Sequence, residues 1–142
     1  MSKGDVFEND LMKLIFQGTA IANVADNASS SPITNLFVSL HTGDPGEAGV
    51  QTTSEANYGA YARVAVARST VGWTIATNTV TPAATISFPA STSGTNTITH
   101  FVVGTVTSAA GKIFYSGTVT PNIVVTSGVT PQLTTASTIT ED

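Results

Sequence analysis

The sequence predicts an all-β fold, an antiparallel β-sandwich or jelly roll of about eight strands with one N-terminal helix. Beyond residue 34, apolar residues recur with period two, the spacing that turns every second side chain of a strand to one face. Thr and Ser supply 39 of the 142 residues, against 14 that carry charge, so hydroxyls line the polar faces of these strands. Clusters of Gly and Pro cut the runs at short intervals, as in a series of hairpins. No helical pattern separates the strands, and a parallel sheet needs such crossovers.

The first element, Asp5 to Gln17, reads as a helix. Asp5 stands where an N-cap side chain accepts a backbone N–H, and Glu8 three residues on completes a capping-box pattern. Phe7, Leu11, Leu14 and Ile15 follow the i, i+4, i+7, i+8 spacing of one apolar face. Gly18 is placed to end the helix, because glycine takes the left-handed conformation without a Cβ clash. Thr19 to Thr34 lacks periodicity, and Ala28-Ser29-Ser30-Ser31-Pro32 reads as a connection.

Strands follow. Leu36, Val38 and Leu40 share one face of the first, with Phe37, Ser39 and His41 on the other. Tyr61–Arg68 sets Val64 and Val66 opposite Ala65 and Ala67. Gly72–Thr77, Thr85–Phe88, Thr97–Val103, Lys112–Ser116, Thr118–Thr126 and Gln132–Thr140 complete the set. The branched Cβ of Thr and Val packs well on a pleated surface. The organisation expected is one domain over residues 1–142, with 1–34 as helix and connecting arm and 35–142 as the sandwich.

Charge excludes several functions. Five basic residues in a chain of net charge −4 cannot neutralise enough phosphates to hold nucleic acid. The absence of cysteine excludes disulfides and thiolate chemistry. No stretch approaches the roughly 18 apolar residues of a membrane span. Asp5, Glu8 and Asp10 interrupt the place where a secretory signal would be apolar, which points to a soluble protein made in the cytosol. Neither nucleic acid nor membrane is therefore expected as a partner.

His41-Thr42-Gly43-Asp44-Pro45-Gly46-Glu47 is the most polar and turn-rich loop. His41, Asp44, Glu47 and Glu55 could act as metal ligands or as an acid/base set. The competing view is a strand-end His followed by a Pro-Gly turn in which Asp44 accepts backbone N–H groups. The spacing fits neither a zinc pattern nor a calcium loop, so no metal or cofactor is expected. His100, between Ile98 and Val102 on its own face, has the setting of a hydrogen-bonded core or interface histidine. Arg63 and Arg68 lie five residues apart on opposite faces of one strand, and each is expected to pair with a carboxylate from the charged section before Ser69.

Tyr58, Tyr61, Trp73 and Tyr115 could form a sugar-stacking platform. The alternative has Trp73 filling the sandwich core and the tyrosines anchoring their hydroxyls at its rim. No nucleophile elbow, phosphate-binding glycine loop or dinucleotide fingerprint is present. The expectation is a protein that is not an enzyme.

Leu36-Phe-Val-Ser-Leu-His-Thr-Gly-Asp-Pro-Gly-Glu-Ala-Gly49 resembles the opening strand and loop of a family of small tailed-bacteriophage virion proteins. Tyr61-Ala-Arg-Val-Ala-Val-Ala-Arg68, Gly72-Trp-Thr74, Ile86-Ser-Phe-Pro89, Thr99-His-Phe101 and Lys112-Ile-Phe-Tyr-Ser-Gly117 match in order. The resemblance covers roughly residues 1 to 120, and the Thr-rich stretch after Pro121 is less family-like. Members are often labelled tail fibre proteins, and others look like capsid cement, or decoration, proteins that form β-sandwich dimers bridging neighbouring capsomers.

The resemblance implies a virion protein assembled in the host cytoplasm, bound to the outer capsid surface and stapling neighbouring major capsid subunits. The partners implied are the major capsid protein and a second copy of the chain, a dimer being favoured. Few charges mean that screening weakens such binding little, so contact energy comes from apolar area and backbone hydrogen bonds. Phe7, Leu11, Leu14 and Ile15, together with His41, Asp44 and Glu47, are the residues expected at an interface. The helix face is expected in the first instance to cover the sandwich, because an exposed apolar stripe invites aggregation. Two other classes stand beside this one. A tail-fibre or receptor-binding component would show trimers and repeated shaft sequence. A glycan hydrolase would need two facing carboxylates drawn from Asp44, Glu47 and Glu55.

Overall fold

A computed structural model describes residues 5–21 and 33–141, excepting the side chains of Asp5 and Phe7; the connection Ala28–Pro32 lies outside the described residues. The helix α1 (Asp5–Met12) continues into a π-helical turn over Lys13–Gln17. Nine strands follow among the described residues: β1 (Asn35–His41), β2 (Val64–Ala67), β3 (Trp73–Ala76), β4 (Thr79–Pro82), β5 (Ile86–Ser87), β6 (Asn96–Gly104), β7 (Ile113–Val125), β8 (Gln132–Leu133) and β9 (Ile139–Thr140). The fold is mostly β, with antiparallel sheets and one short N-terminal helix, as expected for an all-β sandwich. The chain divides into two compact units. One comprises Met1–Asn35, Ala67–Thr85 and Leu133–Asp142; the other comprises Leu36–Val66 and Ile86–Gln132.

In the first unit the sheet order is β3-β4-β9, with Trp73 opposite Pro82, Ala76 opposite Thr79 and Val80 opposite Ile139. The helix lies on β3 and β4. Its buried stripe is Glu8, Met12 and Phe16, whereas Leu11, Leu14 and Ile15 are only half-buried. This corrects the expected apolar face. The i→i+5 bonding of the π turn widens the helix after Met12, so Leu14 and Ile15 depart from the 3.6-residue spacing extrapolated from the first turns. Gly18 ends the helix as expected, at φ 68°, with its N–H returned to the Lys13 carbonyl.

Phe16 meets Trp73 edge to face, with ring centroids 4.7 Å apart and an interplanar angle of 69°. Trp73 is thus a core residue of the unit built on the helix, not a filler between the sheets of residues 35–142. Among the described residues its Nε1 has no hydrogen-bond partner. Arg68 departs from its expected pairing with a carboxylate. It donates from Nε to the Ile15 carbonyl at 2.6 Å, from Nη2 to that of Leu14 and from Nη1 to that of Ile33 at 3.3 Å. Carbonyls left open at a helix C-terminus attract a cation, and here a guanidinium fork serves two of them.

In the second unit the sheet order is β2-β1-β6-β7. Leu36, Val38 and Leu40 are fully buried from one face of β1, as their alternation predicts, and Ile98 and Val102 are fully buried from β6. Ser39 and His41 on the opposite face of β1 are also fully buried, so this strand is covered on both sides. β5 and β8 form a short ribbon, near which Phe88 N–H reaches the Pro131 carbonyl at 3.0 Å.

Strand boundaries differ from expectation at several places, first at Gly117. Lys112–Ser116 and Thr118–Thr126 are one strand, β7, because Gly117 sits opposite Phe101 and under its ring; a Cβ there would lie 2.8 Å from Phe101 Cε1. Pro121 is accommodated by a bulge. His100 pairs with Thr118 and Ile98 with Ile123, so five steps along β7 oppose two along β6. Conversely, Gln132–Thr140 breaks into β8 and β9, Tyr61–Arg68 shortens to β2, and β4 was not expected.

Candidate functional site

In the second unit Glu55, Arg63, Tyr61 and His41 turn inward, whereas Asp44, Glu47 and Lys112 are exposed. Glu55 follows β1 through an isolated antiparallel bridge with His41. Arg63 immediately precedes β2. Arg63 Nε donates to Glu55 Oε1 at 2.7 Å and Nη2 to Oε2 at 2.8 Å, a bidentate pair in which the arginine side chain is 3% and the glutamate 15% exposed. The remaining reach of the guanidinium goes to the loop after β6, with Nη1 on the Val106 carbonyl at 3.0 Å and Nη2 on that of Ala109 at 2.9 Å. The Glu55 hydrogen bond, the largest influence, holds the Arg63 guanidinium still more firmly protonated than usual.

Tyr61 extends the cluster. Its hydroxyl accepts from Leu40 N–H at 3.1 Å and donates to Glu55 Oε1 at 2.9 Å, and burial pushes its ionisation well above the ordinary phenol range. His41 bonds through both ring nitrogens: Nδ1 to the Thr53 carbonyl at 2.8 Å and Nε2 to Ser39 Oγ at 2.9 Å. A carbonyl can only accept, so Nδ1 carries the proton and Nε2 accepts from the Ser39 hydroxyl. Burial lowers the His41 imidazole from its usual value, outweighing the Thr53 carbonyl and Glu55, which pull the other way.

Gln51 is a second brace. It is fully buried, its Oε1 accepts from Thr105 N–H at 2.9 Å and Val106 N–H at 3.1 Å, and its own N–H reaches the Gly111 carbonyl at 3.0 Å. Gly104 and Gly111 make room for it, since a Cβ on either would lie 2.2 Å from the amide. Three non-glycine residues in the left-handed region border these braces: Ser54 at φ 55°, Ala60 at φ 70° and Ala109 at φ 67°. The hydrogen bonds hold a backbone that would relax without them.

Around the braced loops lies an open groove of about 730 Å³, whose lining includes Asp44, Glu47, Val50, Lys112, Ile113 and Phe114. Asp44 Oδ1 accepts Gly46 N–H at 2.9 Å, the turn bond anticipated from sequence. The residues expected at an interface therefore separate. Asp44 and Glu47 are exposed on the groove, whereas His41 is buried beneath the sheet, and Leu11, Leu14 and Ile15 belong to the helix of the first unit; the side chain of Phe7 is outside the described residues.

His100 Nδ1 lies 2.9 Å from Thr99 Oγ1. Tyr58 is 3% exposed, with its hydroxyl on the Pro89 carbonyl at 3.1 Å, and meets Tyr61 edge to face at 5.3 Å. Tyr115 is half-buried on β7. Gln51 and Lys112 were missed as site residues. A polar residue in a Gly-rich loop reads as solvated, and only the glycines at 104 and 111 mark the space that Gln51 occupies.

Among the described residues no three of His, Asp and Glu come together as a metal site, and no helix is long and apolar enough to cross a membrane. Fold and site define a β-rich scaffold whose buried polar groups stabilise loops. The family model described as Podophage GP4 fiber I protein gp80 matches residues 2–140. The chain belongs to that family and is a phage virion structural protein. The match runs through the Thr-rich stretch after Pro121, beyond the limit of the resemblance seen in the sequence. No curated protein matches the chain.

Proposed function

We propose that this protein acts by adhesion, as a capsid cement protein that binds the outer shell surface and staples neighbouring major capsid subunits, without catalytic turnover. The observation that carries the reading is the inward commitment of its reactive groups. Glu55, Arg63, Tyr61, His41 and Gln51 spend their hydrogen bonds on one another and on loop backbone. Such an arrangement fixes a surface in shape. A symmetric dimer, with the major capsid protein as partner, completes the proposal.

Quantitative gel staining of purified virions tests it. Copies approaching the number of capsid subunits, with shells that lose heat resistance when the protein is absent, are the expected result; a handful of copies at the tail would overturn it. The family's own description, which names a fibre protein, favours a second reading as a tail-fibre or receptor-binding component. A trimer in light scattering that binds host cells would establish that alternative.

A further inference from the structure

We propose that the groove beside Asp44 and Lys112 seats a segment of a neighbouring virion protein that presents basic residues next to an apolar one; this rests on the adhesive role above. The groove, at about 730 Å³, is large enough for several side chains. Its Ala110–Lys112 side is held by Gln51 and by Arg63, which grips the preceding carbonyls of Val106 and Ala109. A surface set in advance loses little freedom when it is covered. Val50 is 37% exposed there, beside Ile113 and Phe114, which gives an apolar side chain something to rest on.

Charge chooses the occupant. The lining carries two carboxylates, Asp44 and Glu47, against one ammonium, Lys112. Neither Glu47 nor Lys112 has an ion-pair partner among the described residues. Lys112 is moreover the only charge between Ser69 and Thr140, so no other nearby stretch of that half of the chain offsets the acids. A second copy is disfavoured as occupant, because two like grooves facing across a two-fold axis would oppose one net negative lining to another. A basic segment meets both requirements.

The test uses full-length protein and purified particles assembled without it. Wild type, the double variant Asp44→Lys/Glu47→Lys and Lys112→Glu are compared by equilibrium binding at about 0.05 M and about 0.5 M salt, after equal urea midpoints show that all three fold. The expected result is binding by wild type, a loss of about tenfold or more in the double variant and a gain of about twofold in Lys112→Glu, with the differences shrinking at high salt. Equal binding by all three overturns the groove and leaves the adhesive role standing.

Failure of wild type to bind overturns the adhesive role. The groove is then tested alone by titrating a capped Gly-Arg-Leu-Arg-Gly peptide while observing the amides of Gly46, Gly49 and Gly111 by NMR. Shifts that are absent with the Gly-Glu-Leu-Glu-Gly peptide support it, and no shifts overturn it. A change of sedimentation mass in the double variant would identify a second copy as the occupant and also overturn the proposal.

Discussion

Arg63 grips Glu55 with two parallel N–H···O bonds, of 2.7 and 2.8 Å, and grips the loop after β6 with its remaining edge. One side chain thereby ties three separate stretches of the second unit. Removing one partner of a buried pair leaves the other charge uncompensated, which costs about 3–5 kcal/mol. Arg63→Ala is expected to lower the unfolding free energy by that amount, read as a fall in the urea midpoint at unchanged m-value. Arg63→Lys keeps the charge and loses the fork, and should fall between the two. Chemical denaturation of the three proteins checks the order.

His41 makes stability fall with acid. Its folded-state ionisation is lowered by burial, so as pH drops below about 6.5 the unfolded chain takes up the proton first. The stabilisation is complete above that pH and is lost as pH falls toward the depressed folded value. Urea midpoints at about pH 7.5 and pH 5 should show the drop, and His41→Asn, which keeps a donor for the Thr53 carbonyl, should flatten it.

Gly111 and Gln51 are coupled by volume. Gly111→Ala places a methyl 2.2 Å from Gln51 Oε1 and 2.3 Å from Val106 Cγ2, and overpacking of this kind costs about 1–3 kcal/mol. Gln51→Ala orphans two backbone N–H groups at similar cost. The double variant should be less unstable than the two losses added together, which a double-mutant cycle in urea measures.

Ala60 and Ala109 carry side chains in a backbone region that disfavours them. Glycine at either position should raise stability by about 0.5–1 kcal/mol, the relief of the left-handed penalty less the freedom gained by the unfolded chain. Thermal unfolding of Ala60→Gly and Ala109→Gly checks this; a fall in midpoint for both would show that the methyls are bearing contacts instead.

Local order was legible where one face decides it. β1 follows from Leu36, Val38 and Leu40, and the helix end follows from Gly18. Pairing across the chain was less visible. Arg63 found a carboxylate eight residues back, as its charge required, while Arg68 found helix carbonyls, which no side-chain inventory reveals. Met12 and Phe16 are hidden in the sequence because Glu8, a charged residue, shares their stripe and leaves the neighbouring face with the higher apolar count. Gly117 alone separates the two strands expected here, yet a ring over it and a bulge around Pro121 let β7 run unbroken. At the groove, Asp44 and Glu47 announced themselves by charge; Gln51 did not, since burial of an amide depends on empty space supplied from 50 residues or more away.

The bulge in β7 has a bearing on how this strand finds its place. A ribbon rich in Thr and Val offers nearly the same side chain every two steps, so shifted alignments with β6 would be close in energy. The surplus residues between Thr118 and Ile123 are matched by nothing on β6, and any slippage would drag Pro121 into a ladder position where it has no hydrogen to donate. The irregularity acts as an index mark that selects one alignment from many near-equivalents.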